Sequence, residues 1–150
     1  MAYRRYFVTT GKGESDTSKL NAFDRALMDA GIGQCNLVQV SSILPPNATE
    51  TKPVEIPPGT ITHCVLARRD GAQGDTISAG IAWAKLNNYG IVAEDNGPYD
   101  EQTTKQNLTQ KITEMASARN QQPQNTKHKT AAQTVGKKHG TTIAALIYVE

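Results

Sequence analysis

The chain has 150 residues, 37% apolar and 20% charged, with a net charge of +2 at neutral pH. That length supports one domain with a real core, and so small a charge argues against nucleic acid or an anionic membrane as partner. Aromatic residues at 5% offer little for base stacking, and no apolar run approaches the roughly 18 residues of a membrane helix.

The opening MAYRRYFVTTGKGES contains no apolar leader, so a cytoplasmic location is expected. Residues 4–9 predict a first strand, and GKGESDTS a polar, glycine-bearing loop without the spacing of a phosphate loop. Ser18 is placed to cap a helix over 19–30. Leu20, Phe23, Leu27 and Ala30 form its apolar stripe and Gly31 its stop. Asp24 lies beside that stripe and reads, by itself, as a solvated residue.

Residues 34–40 predict a buried strand that runs into Ser41-Ser42. The proline-rich stretch 44–59, LPPNATETKPVEIPPG, predicts an extended loop. Strands follow at 60–68 and, after the turn RDGAQGD, at 76–85, where Ile77, Ala79, Ile81 and Trp83 alternate toward one buried face. A turn at 87–90 leads into a short strand at 90–94, closed by DNGP. Leu108, Ile112 and Met115 place a helix over 103–119. The polar NQQPQNTKHK and the basic run KHKTAAQTVGKKHG predict a solvated connection before a last buried strand at 141–149. No repeat or linker divides the chain. The order predicts a single α+β domain, a layered sandwich of the αββα type with mostly antiparallel strands.

Motifs of common enzymes are missing. His63, His128 and His139 have no metal-ligand spacing, and no metal is expected. His63 and Cys64 are adjacent on a strand and point to opposite faces. Cys35 and Cys64 read as reduced thiols. There is no GxSxG elbow and no GxGxxG fingerprint. What remains is Ser41-Ser42. Serine suits an exit from a strand, but a serine hydroxyl can also attack the preceding carbonyl, turning the peptide into an ester. Elimination then leaves a pyruvoyl group at a new N-terminus. That path needs a donor for the oxyanion and a backbone held near attack geometry. The residues alone leave both readings open.

The run NAFDRALMDAGIGQCNLVQVSSILPP resembles the processing region of pyruvoyl-dependent arginine decarboxylases of the archaeal type. GDTISAGIAWA and GIVAEDNG resemble two later segments of that family, in the same order. The likeness is dense over residues 20–46 and 74–97. It implies cleavage between Ser41 and Ser42, giving a β chain of residues 1–41 and an α chain of residues 42–150. Ser42 would become the covalent pyruvoyl group, with no metal and no pyridoxal phosphate. Asn36 would support processing, Glu94 would donate the proton in decarboxylation, and Asp24 would receive the guanidinium of arginine. Leu20, Gly33 and Cys35 would line the substrate pocket. Cys35 stands where the family usually has an apolar β-branched residue, and Asp95 where an aromatic one is common.

The resemblance further implies decarboxylation of L-arginine to agmatine and CO2 through an imine, by a trimer of αβ units. Alternatives are a pyruvoyl decarboxylase for histidine or aspartate, or an unprocessed, non-catalytic trimeric scaffold. Polyamine synthesis, acid resistance and arginine supply to another route are all compatible with the sequence.

Overall fold

A computed structural model describes residues 3–150. In chain order its elements are β1 (Arg5–Ser15), α1 (Lys19–Asp29), β2 (Asn36–Gln39), β3 (Ile43–Leu44), β4 (Thr49–Glu50), β5 (Ile61–Ala72), β6 (Thr76–Lys85), β7 (Gly90–Gly97), α2 (Glu101–Ala118), β8 (Gln124–Thr134) and β9 (His139–Val149). One sheet has the order β2-β5-β9-β1-β4 and the other β3-β7-β6-β8. Strand pairs are antiparallel except β1–β4 and β2–β5.

Three apolar layers explain the stack. Tyr6, Val8, Val65, Leu146 and Tyr148 of the first sheet meet Ala79, Ile81, Trp83 and Val92 of the second. Ala26 and Ala30 close the outer face of the first sheet over Phe7, Leu66 and Ile147. On the outer face of the second, Leu108, Ile112 and Ala116 of α2 cover Ala82, Ala84 and Ile91. The result is the expected αββα sandwich. β6 and β9 are buried on both faces, as suits a strand lying between a partner sheet and a helix. The single buried face expected for β6 is therefore corrected to two.

Helix α1 starts where expected, with the Ser18 hydroxyl accepting from the Asn21 N–H at 3.1 Å. Of the expected stripe, Ala30 is buried and Phe23 and Leu27 pack half-buried against the same cluster; the fully buried residues are Ala22 and Ala26, and Leu20 is 72% exposed. The cause lies in β1, which continues through GKGES instead of ending at Thr9. A Cβ on Gly11 would lie 2.0 Å from the Ala26 carbonyl oxygen, and one on Gly13 2.3 Å from that of Ala22. Helix and strand thus touch through small residues, and the larger Leu20 is turned out.

Four further expectations change. The connection expected after α2 is in large part the edge strand β8, which is exposed along most of its length. Lys127, His128 and Lys129 suit such an edge, where charge discourages pairing with another chain. The expected loop 44–59 contains β4, paired in parallel with Arg5 and Tyr6. The turn expected over RDGAQGD is shorter, since β5 runs on to Ala72. The stretch before Ser41, expected to be buried, is the mostly exposed edge strand β2.

Candidate active site

The Ser41–Ser42 bond is where the chain crosses from the edge of one sheet to the edge of the other. Before it, β2 runs parallel to β5, and the Val40 N–H donates to the Cys64 carbonyl at 2.8 Å. Beyond it, β3 runs antiparallel to β7, and the Ser42 carbonyl accepts from the Val92 N–H at 2.9 Å. The Tyr148 hydroxyl reaches across from β9 and donates to the Ile43 carbonyl at 2.7 Å. Both flanks of the peptide are therefore tied down, each to a different sheet. Ser41 is exposed and Ser42 half-buried. Ser41 borders an open cleft of about 1040 Å³ shared with Tyr3, Val40, Ile43, His63 and Tyr148. The Tyr3 hydroxyl and His63 Nδ1 lie 2.6 Å apart there.

Glu94 belongs to this neighbourhood. The register sets Ile43 against Ile91, so Ser42 falls opposite Val92, and Glu94 is two residues further along the same face of β7. Its side chain keeps solvent access, yet the protein packed beneath it pushes its carboxyl up from the usual carboxylate range, while the Lys111 ammonium pulls it back in part. The charge of Glu94 is felt at Cys64, whose thiol is pushed up to about 11 by burial first and by Glu94 and Cys35 second. Burial and Cys64 likewise raise the Tyr148 hydroxyl to about 12. Both groups stay neutral at physiological pH. Cys35 and Cys64 are free thiols, Cys64 buried and Cys35 half-buried.

The remaining expected residues lie elsewhere in the single chain. Asn36 opens β2, and its side-chain N–H donates to the Gly59 carbonyl at 3.0 Å. Five residues lie between it and Ser42, a span of up to roughly 20 Å for six steps at the rise of a strand. Asp24 is exposed on α1 and makes no ion pair among the described residues. Leu20 is one turn before it on the same exposed side. Gly33 packs against Met28, and Cys35 against the cluster under α1. Thus Ser41, Ser42 and Glu94 come together at the sheet edges. Leu20, Asp24, Gly33, Cys35 and Asn36 form a separate group around α1 and the start of β2.

Sequence reasoning missed the groups that hold Asp95. Asp95 is 7% exposed, and its carboxylate accepts from Lys111 Nζ at 2.7 Å, from the Tyr99 hydroxyl at 2.7 Å and from Asn107 Nδ2 at 3.1 Å. Burial pushes this carboxyl up, but the three donors outweigh it and leave it below its ordinary value. Asp95 is therefore a satisfied anion facing α2, on the strand face opposite Glu94. A second cleft, of about 790 Å³ between Tyr6, Trp83 and Lys127, contains none of the expected site residues. No cluster of potential metal ligands occurs among the described residues.

Comparison with known proteins adds the family. A protein of Methanopyrus kandleri named pyruvoyl-dependent arginine decarboxylase is 44% identical over 117 residues, covering 77% of this chain and 76% of the relative. One of the same name from Methanothermobacter thermautotrophicus is 47% identical over 90 residues, 59% of each chain. Pyruvoyl-dependent arginine decarboxylase 2 of Methanosarcina mazei is 38% identical over 110 residues, 68% of this chain and 60% of the relative. Residues 5–150 match the family described as pyruvoyl-dependent arginine decarboxylase; with its strand-to-strand Ser41-Ser42 crossing beside Glu94, the chain belongs to that family.

Proposed function

We propose that the chain cuts itself between Ser41 and Ser42 and then decarboxylates L-arginine to agmatine and CO2. The observation that carries this reading is the Ser41–Ser42 bond itself, held at Val40 by one sheet and at Ser42 by the other. A peptide anchored on both flanks has few ways to move out of line, which favours attack by the adjacent hydroxyl. Ser42 Oγ adds to the Ser41 carbonyl, and the peptide becomes an ester. Loss of the Ser42 α-proton then expels the Ser41 carboxylate, and water replaces the nitrogen, which leaves as ammonia. Residues 1–41 end at Ser41, and residues 42–150 begin with the pyruvoyl group.

The local chemistry fits that group. Its amide carbonyl would be the Ser42 carbonyl, already held by the Val92 N–H, and its open side is the cleft bordered by Ser41. Once formed, the pyruvoyl group supplies the electron sink for loss of CO2 from a substrate amine. It is the one prosthetic group the reading requires. Glu94 supplies the proton to the substrate α-carbon. Desolvation by the protein beneath it favours its protonated form, as a general acid needs.

Substrate recognition belongs to the other group of residues. A carboxylate accepts two parallel N–H bonds from a guanidinium, the role of Asp24, with Leu20, Gly33 and Cys35 lining the pocket. The side-chain amide of Asn36 serves the oxyanion of processing. Within one chain Asn36 opens β2 while Ser42 lies beyond its end, and Asp24 is exposed on α1, so in this reading the site is assembled from two copies, in a trimer of αβ units. The surface beside the crossing supports self-association: Val38, Val40 and Ile43 are each 40–41% exposed and Ile61 65%. Such an apolar strip at a sheet edge suits a covered interface.

Mass spectrometry of the purified protein, followed by a decarboxylation assay across amino acids, tests the reading. Two fragments split after Ser41 and a preference for arginine are expected. An intact chain would overturn the processing, and a preference for histidine or aspartate the substrate.

A further inference from the structure

Resting on the reading of Glu94 as proton donor, we propose that Lys111 is a positioning residue for the reaction, holding the Glu94–Asp95 peptide from α2 and setting the charge that surrounds Glu94. Its ammonium makes two bonds at once. It donates to the Glu94 main-chain carbonyl at 2.8 Å and to Asp95 Oδ1 at 2.7 Å. The other Asp95 oxygen is filled by Tyr99 and Asn107. Neighbouring residues of a strand point to opposite faces. Pinning Asp95 against α2 therefore fixes Glu94 on the side of Ser42.

Position and charge come from the same side chain. Asp95 places a second negative charge one residue from the acid. Left unpaired, it would hold Glu94 protonated too strongly to release its proton readily. Lys111 neutralises it and also acts on Glu94 directly. The other charged neighbours of β7 contribute differently. From β5, the Cys64 thiol feels Glu94, and Arg69 acts on Tyr99; His63, Arg68 and Asp70 complete that strand's set. On β6, Lys85 is opposite Gly90, at the far end of the strand pair. β3 has no titratable side chain. On α2, Glu101 bonds Thr130, Lys105 acts on His128, and Glu114 is exposed. Lys111 is thus the cation placed to govern Glu94.

The test replaces Lys111 with Gln, which can still donate to Asp95 but has no charge, and with Arg, which retains it. The titration of Glu94 is followed in the mature enzyme by NMR of carbon-13-labelled glutamate carboxyls, assigned through Glu94→Gln. Arginine kinetics are followed against pH in parallel. In Lys111→Gln the Glu94 midpoint should move up and the alkaline limb of kcat should follow it, with KM and self-cleavage unchanged. Lys111→Arg should restore the native profile. An unmoved Glu94 midpoint in Lys111→Gln would overturn the proposal. A midpoint that moves while the kcat profile stays put would uphold the part of Lys111 and remove Glu94 as the proton donor. If Lys111→Gln does not fold, the double variant D95N/K111Q, which leaves no buried carboxylate behind, is compared with Asp95→Asn alone: the Glu94 midpoint should lie higher in the double variant, and equal midpoints would overturn the proposal.

Discussion

At position 42 the proposed processing depends on one oxygen atom. Ser42→Ala removes it and little else, so the variant should fold and remain a single chain of full length, unreactive toward hydrazine; two fragments on a denaturing gel would refute the cleavage site. In the proposed mechanism Glu94 acts after the cut. Glu94→Gln should still process, then turn over roughly 10²–10⁴-fold more slowly, the usual effect of a missing general acid. The sign of the pH dependence follows from its raised carboxyl. The proton is present below that value and lost above it, so native kcat should fall as pH rises through it, and the Gln variant should lack that limb. A kcat profile shared by the two proteins would remove Glu94 from the chemistry. The serine pair was legible because its surroundings resemble a family, whereas a Ser-Ser dipeptide carries little by itself. Lys111 was not legible at all. It is one polar residue among many on α2, 16 positions from Asp95, and only the packing of that helix on β7 reveals the pair.

Between β1 and α1 the separation is set by the absence of side chains. A methyl group on Gly11 would meet the backbone of Ala26 at 2.0 Å, and a carbonyl in a helix cannot step aside. Gly11→Ala, made in the uncut Ser42→Ala protein, should lower stability by about 1–3 kcal/mol, the range for overpacking a tight contact. Gly136→Ala is the control, because its new methyl would meet nothing closer than the end of Glu14 at 3.4 Å. Equal thermal midpoints for the two variants would show that helix and strand are not in the close contact described. The same contact explains an element misread from sequence. GKGES looks like a loop because its glycines suggest a turn, but they are strand residues made small for a helix. β8 was invisible for a different reason. Exposed along most of one edge, it shows no apolar alternation. By contrast β9 was evident as a continuous apolar run, as a strand buried on both faces reads, and β6 through the alternation of Ile77, Ala79, Ile81 and Trp83, which hid its second buried face. Ser18 marked the start of α1 because its hydroxyl answers a backbone N–H that the helix leaves unpaired.

In the proposed trimer, the two groups of expected site residues would come from different copies. Two inactive proteins should then repair each other. Asp24→Asn spoils one half of every site and Glu94→Gln the other. Co-expressed and randomly mixed in a trimer, they should regain about a quarter of native activity, from sites that draw both intact halves from different copies. No gain above the separate variants would place the whole site within one chain. A different consequence follows from β1, which lies between β9 and β4 in the first sheet. Its eleven residues pair along their full length with β9. After the proposed cut, that strand would belong to the short fragment and both its neighbours to the long one, so the first sheet would be interleaved from the two fragments and neither would contain it whole, while the second sheet would lie entirely in the long one. Folding must therefore precede cleavage. The precursor finds its structure as one molecule, but the processed protein, once denatured, has to find it as two. Refolding of Ser42→Ala to its monomeric structure should proceed at a rate independent of dilution, while recovery of the cut protein should decline as it is diluted. Cleavage would thus act as a ratchet: an unfolded copy would have lost the covalent connection that first brought its halves together, and the lifetime of the mature enzyme would be set by its rate of unfolding.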